Sequence, residues 1–140
     1  MRSLILAIWI AVSPSATLAA DHWAAASKSA RSVTGDIALD RDTLTFADGQ
    51  SIKLKPYEMA RNGDWAESGD QVAGDVFKIE PPSSPKLQRG KPLCPELATY
   101  VVLWTFGEGE LTLNFYAGAA APIGIPDADA LCATYSYELR

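Results

Sequence analysis

Residues 32–55 read SVTGDIALDRDTLTFADGQSIKLK, and this stretch indicates the fold class. Apolar and polar residues alternate through it with a period of two, which is the pattern of half-buried β-strands. Asp48 and Gly49 fall between two alternating segments, and this pair suits the tight hairpin turns in which backbone φ is positive. The sequence therefore predicts three antiparallel strands in a meander, with the last strand ending at Pro56.

Four further segments have strand character. Residues 76–79 form a short apolar run, and residues 111–116 and 133–139 alternate in the same way as the meander. Residues 100–106 are apolar on both faces, which is typical of a strand that is buried on both sides. Six to eight short strands, with turn signals about every ten residues, predict a mainly β domain, a small antiparallel β-barrel or sandwich. The consecutive hairpins favour the barrel.

Two segments depart from the strand pattern. Apolar residues recur at helical spacing from Trp23 to Val33, so the sequence predicts a short N-terminal helix over 22–31. We expect this helix to cover an open end or an edge of the sheet. Residues 57–75 are mostly polar and contain three glycines, which predicts a long loop.

The N-terminus has the order of features found in secretory signal peptides. Arg2 precedes an apolar run from Leu4 to Val12, and small residues follow up to Ala20. An apolar run of this length is too short to span a bilayer as a helix, so we expect no membrane anchor after cleavage. The sequence thus predicts a signal peptide at residues 1–20 and a single exported domain at 21–140, either periplasmic or secreted.

The chain contains two cysteines, Cys94 and Cys132. In an exported protein a single pair of cysteines is expected to form a disulfide. Closing a loop of this length contributes about 4 kcal/mol to stability in the chain-entropy model. We therefore predict a Cys94–Cys132 bridge that pins one end of the sheet.

The charge balance restricts the class of partner. The net charge is −5, and removal of residues 1–20 takes away one arginine and no acid, which leaves a net charge near −6. An acidic domain repels phosphate backbones, so we expect no nucleic-acid partner. A basic periplasmic or secreted protein, or a neutral small ligand, fits this charge, which also serves to keep an exported protein soluble.

No motif assembles a catalytic or metal site. The single histidine, His22, lies next to the expected cleavage site, where a frayed terminus cannot hold a general base in position. Asp40 with Asp42, and Asp127 with Asp129, lack the rest of a calcium-loop pattern and suit ordinary turns. We expect a protein that is not an enzyme and that has no cofactor and no metal.

The segment around Trp65 is the strongest candidate for a binding site. Asp64, Glu67 and Asp70 surround this tryptophan in the sequence. An exposed tryptophan would supply apolar burial, and the carboxylates would steer a basic protein towards it. The alternative interpretation is that Trp65 folds back and caps the core.

A second hypothesis is a carrier of small molecules. Aromatic residues recur in the predicted strands, among them Tyr100, Trp104 and Tyr135. A closed barrel could place a ligand in its interior against Trp104, although small barrels usually fill their interiors with their own side chains. The two hypotheses differ in whether the barrel encloses a cavity.

The chain resembles the exported lysozyme inhibitors of the membrane-bound or C-type class in size, export signal, acidity and strand order. That family consists of acidic single-domain barrels with a disulfide, and its inhibitory loop reads Ser-Gly-x-Arg-Tyr. The stretch at Glu67, Ser68, Gly69 and Asp70 carries neither the arginine nor the tyrosine in place. The resemblance implies a small barrel and an inhibitor-like, protein-binding role, but not inhibition of lysozyme by the same loop.

Overall fold

The fold is a closed barrel of eight antiparallel strands arranged in chain order, with the last strand pairing back to the first. The computed structural model describes residues 21–126 and 130–140, so the signal peptide predicted over 1–20 lies outside the described residues. The barrel prediction is confirmed, and the sandwich alternative is not adopted. The strands are β1 (Asp21–Ala25), β2 (Ile37–Asp40), β3 (Thr43–Thr45), β4 (Ser51–Gly63), β5 (Val72–Ser83), β6 (Ala98–Trp104), β7 (Glu110–Ala117) and β8 (Leu131–Leu139).

The predicted meander corresponds to β2, β3 and β4. Leu44 of β3 pairs with Leu39 on one side and with Ile52 on the other. Gly49 has a φ of 92°, as the hairpin turn between β3 and β4 requires. The prediction of a three-stranded meander is confirmed, and the alternation in the sequence arises because one face of these strands is buried and the other is solvated.

The predicted helix over 22–31 is wrong for its first half. Residues Asp21–Ala25 form β1, which pairs with β2 and with β8 and thereby closes the barrel. Only Lys28–Ser32 is helical (α1), and the Ser27 hydroxyl caps it by accepting a hydrogen bond from the Ala30 amide at 3.2 Å. A short isolated helix is marginal in water, whereas a strand between two neighbours gains backbone hydrogen bonds on both sides. Within the described residues, no helix is long and apolar enough to cross a membrane.

The long loop predicted over 57–75 is also wrong. β4 continues past Pro56 to Gly63, and β5 begins at Val72, so the connection covers only residues 64–71. The strand register shifts between Pro56 and Glu58, and again between Glu58 and Arg61. Such bulges accommodate a proline and re-aim a strand without ending it.

The segment between β5 and β6 contains a single 3₁₀ turn, η1 (Gln88–Gly90). Leu87, immediately before the turn, is buried, as is Leu93 after it. These two leucines anchor the segment against the end of the barrel that also holds α1.

The barrel interior is filled by the protein's own side chains. Inward-facing aliphatic and aromatic residues from the strands pack against one another and against α1 and the β5–β6 segment. We refer to this set as the inner core; its largest fully buried members are Tyr137, Phe115, Leu44, Ile79, Leu93 and Leu113.

The predicted disulfide is confirmed. Cys94 in the β5–β6 segment is bonded to Cys132 in β8, with the two Cα atoms 5.5 Å apart. The Tyr135 hydroxyl donates a 2.6 Å hydrogen bond to the carbonyl of Leu93 beside it. The covalent bond and this hydrogen bond together hold the β5–β6 segment against β8.

Candidate functional site

A second hydrophobic cluster lies on the outer face of the barrel. The strand predicted to be apolar on both faces, β6, directs Val101 into the inner core and Val102 outward. An apolar outer face has to be covered, and here the β4–β5 loop and the β7–β8 loop cover it. We refer to this set as the outer cluster; its buried members are Trp65, Val76, Tyr100, Val102, Trp104 and Tyr116.

Trp65 is the centre of the outer cluster and is only 3% exposed. Its indole nitrogen donates a 3.1 Å hydrogen bond to the carbonyl of Arg61. Its ring lies against two glycines, since a Cβ atom at Gly74 would fall 2.6 Å from the indole nitrogen and one at Gly63 would fall 2.8 Å from Cε2. The interpretation of Trp65 as an exposed anchor is therefore wrong, and the alternative, that it folds back and caps apolar surface, describes its position.

The carboxylate of Asp64 is used within its own loop. One oxygen accepts a hydrogen bond from the Ser68 amide at 2.9 Å, and the other accepts one from the Gly69 amide at 3.0 Å. These bonds stabilise a tight turn in which Glu67 has a φ of 56°. Of the four residues predicted to bind a partner, Asp64 and Trp65 face inward, whereas Glu67 and Asp70 are exposed.

The β7–β8 loop docks on the β4–β5 loop through a close approach of two backbones. The Asp64 amide donates a 2.7 Å hydrogen bond to the Gly124 carbonyl. Gly124 has a φ of 81°, and a Cβ atom there would fall 2.7 Å from the Cα atom of Gly63. Glycine is required at this contact both for its conformation and for its lack of a side chain.

This contact leaves two isoleucines in solvent. Ile123 is 54% exposed and Ile125 is 62% exposed, on either side of the docked Gly124. Together with the exposed Glu67 and Asp70 on the adjoining loop, they form what we call the loop surface. The isoleucines were not predicted as site residues. Their signal in the sequence is the segment Pro-Ile-Gly-Ile-Pro at 122–126, where two large aliphatic residues interrupt a run of small ones.

Asn114 on the outer face of β7 joins the outer cluster to the loop that covers it. Its amide nitrogen donates to the carbonyl of Trp65 at 2.8 Å and to the Tyr116 hydroxyl at 3.2 Å. Its amide oxygen accepts from the indole nitrogen of Trp104 at 3.0 Å. The Asn114 side chain is 1% exposed, and both its amide oxygen and its amide nitrogen are hydrogen-bonded. These bonds hold the outer cluster and the β4–β5 loop in one relative position.

Trp104 does not face the barrel interior. Its indole nitrogen is bonded to Asn114 on the outer face, and its ring meets that of Phe106 edge to face at a centroid distance of 5.1 Å. A ligand in the interior would therefore not contact Trp104. Tyr135, by contrast, does lie in the inner core.

Among the described residues, the acidic side chains and His22 do not converge on one point. His22 is exposed at the start of β1. Asp42 in the β2–β3 turn accepts a hydrogen bond from the Thr43 hydroxyl at 3.0 Å and lies 3.9 Å from the Lys53 ammonium group. Over residues 21–126 and 130–140, no three side chains of His, Cys, Asp or Glu come together as metal ligands. Asp127 and Asp129 lie outside the described residues.

Comparison with known proteins adds no functional assignment, because no protein-family model, curated protein or solved structure matches the chain. Its function has to be inferred from the chemistry of its own surface.

Proposed function

We propose that the protein is an exported, non-enzymatic binding module that recognises a basic protein through the loop surface. The observation that carries the proposal is the exposure of Ile123 and Ile125 on the β7–β8 loop. The Asp64–Gly124 hydrogen bond joins this loop to the β4–β5 loop, which carries the exposed Glu67 and Asp70. The Cys94–Cys132 disulfide is compatible with an oxidising compartment outside the cytoplasm.

The two kinds of side chain have separate roles in this proposal. Complete burial of an isoleucine side chain contributes about 1.5–3 kcal/mol, so the pair supplies affinity. The carboxylates of Glu67 and Asp70 attract a basic surface and raise the association rate. Since the Asp64–Gly124 hydrogen bond and the Gly63–Gly124 contact already order both loops, binding costs little further conformational entropy.

Site-specific photo-crosslinking tests the position of the binding surface. A photoreactive phenylalanine analogue is placed at Ile125 in the exported protein. Leu97 is the matched control, because it is 60% exposed and lies on the β5–β6 segment, outside the residues of the loop surface. We expect a discrete crosslinked protein from position 125 that is absent from position 97. Equal crosslinking from both positions would contradict the proposal.

Charge reversal then tests the chemistry, using the crosslinked partner in purified form. We expect Glu67→Lys with Asp70→Lys to slow association and to weaken its dependence on salt, and Ile123→Ser with Ile125→Ser to speed dissociation. Glu96→Lys, on the β5–β6 segment, is the control for a change in net charge. Binding that both double variants leave unchanged would overturn the proposal.

A small-molecule carrier is the second candidate, and one feature favours it. A cavity of about 330 Å³, lined by residues of β4 to β7, is bordered largely by apolar side chains, including Leu103, Trp104 and Leu111. Native mass spectrometry of the protein purified from its own compartment tests this candidate. A non-covalent excess mass that is lost on denaturation supports it, whereas a bare mass contradicts it.

A further inference from the structure

A cationic pocket lies between α1 and η1, although the protein as a whole is acidic. The cavity measures about 290 Å³, and its lining consists of Lys28, Arg31, Ser32, Gln88 and Arg89. Three of these five side chains are cationic, none is acidic, and the other two carry hydrogen-bonding groups. If residues lined this pocket by chance, a chain with a net charge of −5 would be expected to place carboxylates among them.

The walls of the pocket are fixed by backbone contacts. The Gln88 amide donates a 3.2 Å hydrogen bond to the Val33 carbonyl, which ties η1 to the end of α1. The side chain of Gln88 covers Gly35, since a Cβ atom at Gly35 would fall 2.4 Å from its amide nitrogen. Leu87 is 5% exposed and anchors the turn in the inner core. The cationic side chains therefore project from a preformed frame.

In the part of the chain that the structure describes, the cations of the pocket form no ion pair. Within residues 21–126 and 130–140 there are five ion pairs, and none of them includes Lys28, Arg31 or Arg89. Lys86 and Lys91 flank η1 in the same segment and add further positive charge. All three cations of the pocket are exposed to solvent, and the pocket gathers them at one place on the surface.

The backbone at Arg89 supports a role for its side chain. This residue has a φ of 55° and a ψ of 29°, in the left-handed region where glycine is favoured. An arginine in that conformation is strained, and residues of this kind cluster at ligand sites. The following residue, Gly90, also has a positive φ, of 71°.

We propose that this pocket binds a phosphate group. Guanidinium groups recognise the oxygens of phosphate in a bidentate manner, and a lysine ammonium group adds a point charge. Arg31 and Arg89 are the recognition residues, and Lys28 supplements their charge. The proposal is independent of the binding role assigned to the loop surface, because the two sites share no residue.

Titration with inorganic phosphate, followed in the backbone amide NMR spectrum, tests the proposal. Sodium chloride is exchanged for phosphate at constant ionic strength, because non-specific attraction between exposed charges is screened by salt. We expect saturable shifts confined to residues 28–35 and 86–91. Shifts that do not saturate, or that spread over all basic residues, would overturn it.

The decisive variant is Arg89→Gly, which removes the charge and relieves the strain at the same time. We expect its urea midpoint to equal or exceed that of the original protein, while its affinity for phosphate falls roughly tenfold or more. Arg31→Gln should weaken binding similarly. Arg41→Ala, which removes one positive charge from the exposed β2–β3 turn, is the matched control and should bind as the original does. Unchanged affinity in both pocket variants would overturn the proposal.

Two further probes, phosphatidylglycerol vesicles and glycerol phosphate, distinguish the sources of the phosphate group. Flotation with phosphatidylglycerol vesicles that is lost in Arg89→Gly and competed by inorganic phosphate assigns the pocket to a lipid headgroup. Saturable binding of glycerol phosphate without flotation assigns it to a soluble phosphate ester. Both results support a phosphate site, and absence of binding to either probe overturns it.

Discussion

The inner core and the outer cluster use the same strands but are held together differently. On β7, Phe115 faces inward and packs among apolar side chains, whereas its neighbour Asn114 faces outward and is bonded to Trp65 and Trp104. The inner core is held mainly by the volume and pattern of its apolar side chains, with hydrogen bonds only at a few members such as Tyr135 and Tyr137. The outer cluster depends on particular hydrogen bonds and on glycines that admit Trp65.

This difference indicates that the two clusters have different structural roles. The inner core buries residues from α1 and from every strand between β2 and β8, so we expect it to carry most of the stability of the barrel. The outer cluster fixes two loops against the barrel and thereby presents Ile123 and Ile125 to solvent. Damage to the first should unfold the domain, and damage to the second should release the loops from an intact barrel.

The largest effect is expected from Phe115→Ala. The variant leaves a cavity in the inner core and removes the edge-to-face contact with Tyr135, at a centroid distance of 5.9 Å. We expect a loss of about 3–5 kcal/mol in the free energy of unfolding, measured by urea denaturation with the disulfide intact. A loss below about 1 kcal/mol would contradict the assignment of stability to this core.

Asn114→Ala, one residue away on the other face, should have a smaller and more local effect. It leaves the Trp65 carbonyl and the Trp104 indole without their hydrogen-bond partner, at a cost of about 2–3 kcal/mol. We expect the amides of Asp64, Ser68 and Gly69 to exchange with deuterium much faster, while the amides of β2 and β3 change little.

Thr112→Ala is the control for this measurement, because Thr112 lies on the same outer face of β7 and its hydroxyl contacts Ser136 rather than the loops. Equal acceleration of exchange throughout the barrel in Asn114→Ala would show that the two clusters are not separable.

Alkaline pH probes the two buried tyrosines of the inner core, Tyr135 and Tyr137. Burial raises the pKa of Tyr135 to about 12 and the pKa of Tyr137 further in the same direction. Because the unfolded chain releases these protons near pH 10, stability is fully present below pH 10 and is lost as the pH rises towards the folded-state pKa. For Tyr135 alone we expect a loss of about 2 kcal/mol between pH 10 and 12, since one pKa unit corresponds to about 1.4 kcal/mol.

Urea denaturation of Tyr135→Phe over the same pH range isolates this contribution. The variant lacks the hydrogen bond to Leu93 at every pH, so its stability should be lower at pH 8 and should fall less steeply above pH 10. An identical slope in the two proteins would show that Tyr135 does not contribute to the alkaline loss.

Prediction from sequence succeeded where the pattern was local. The alternation in residues 32–55 and the Asp48-Gly49 turn predicted the meander, and the two cysteines predicted the disulfide. It failed for β1 and for the long β4–β5 hairpin. The strand β1 depends on pairing with β8, which is distant in sequence, and the polar outward-facing residues of β4 resemble a loop when read alone.

The candidate site shows the same limit. The sequence singled out the segment at 64–70 but could not place the side chain of Trp65, because exposure or burial of a tryptophan depends on the surface available to it. That surface is the outer face of β5–β7 together with Gly63 and Gly74, and it exists only after the barrel has closed.

The sequence by itself determined a small β domain with one disulfide and an acidic net charge, because alternation, turn residues and cysteine number are properties of the chain. Tertiary structure alone decided which residues face solvent at the loops and at the cationic pocket. Ile123 and Ile125 are exposed because Gly124 docks on Gly63. Arg31 and Arg89 line one pocket because the Gln88 amide donates a hydrogen bond to the Val33 carbonyl. Contacts between distant segments depend on the closed barrel, and no local pattern encodes them.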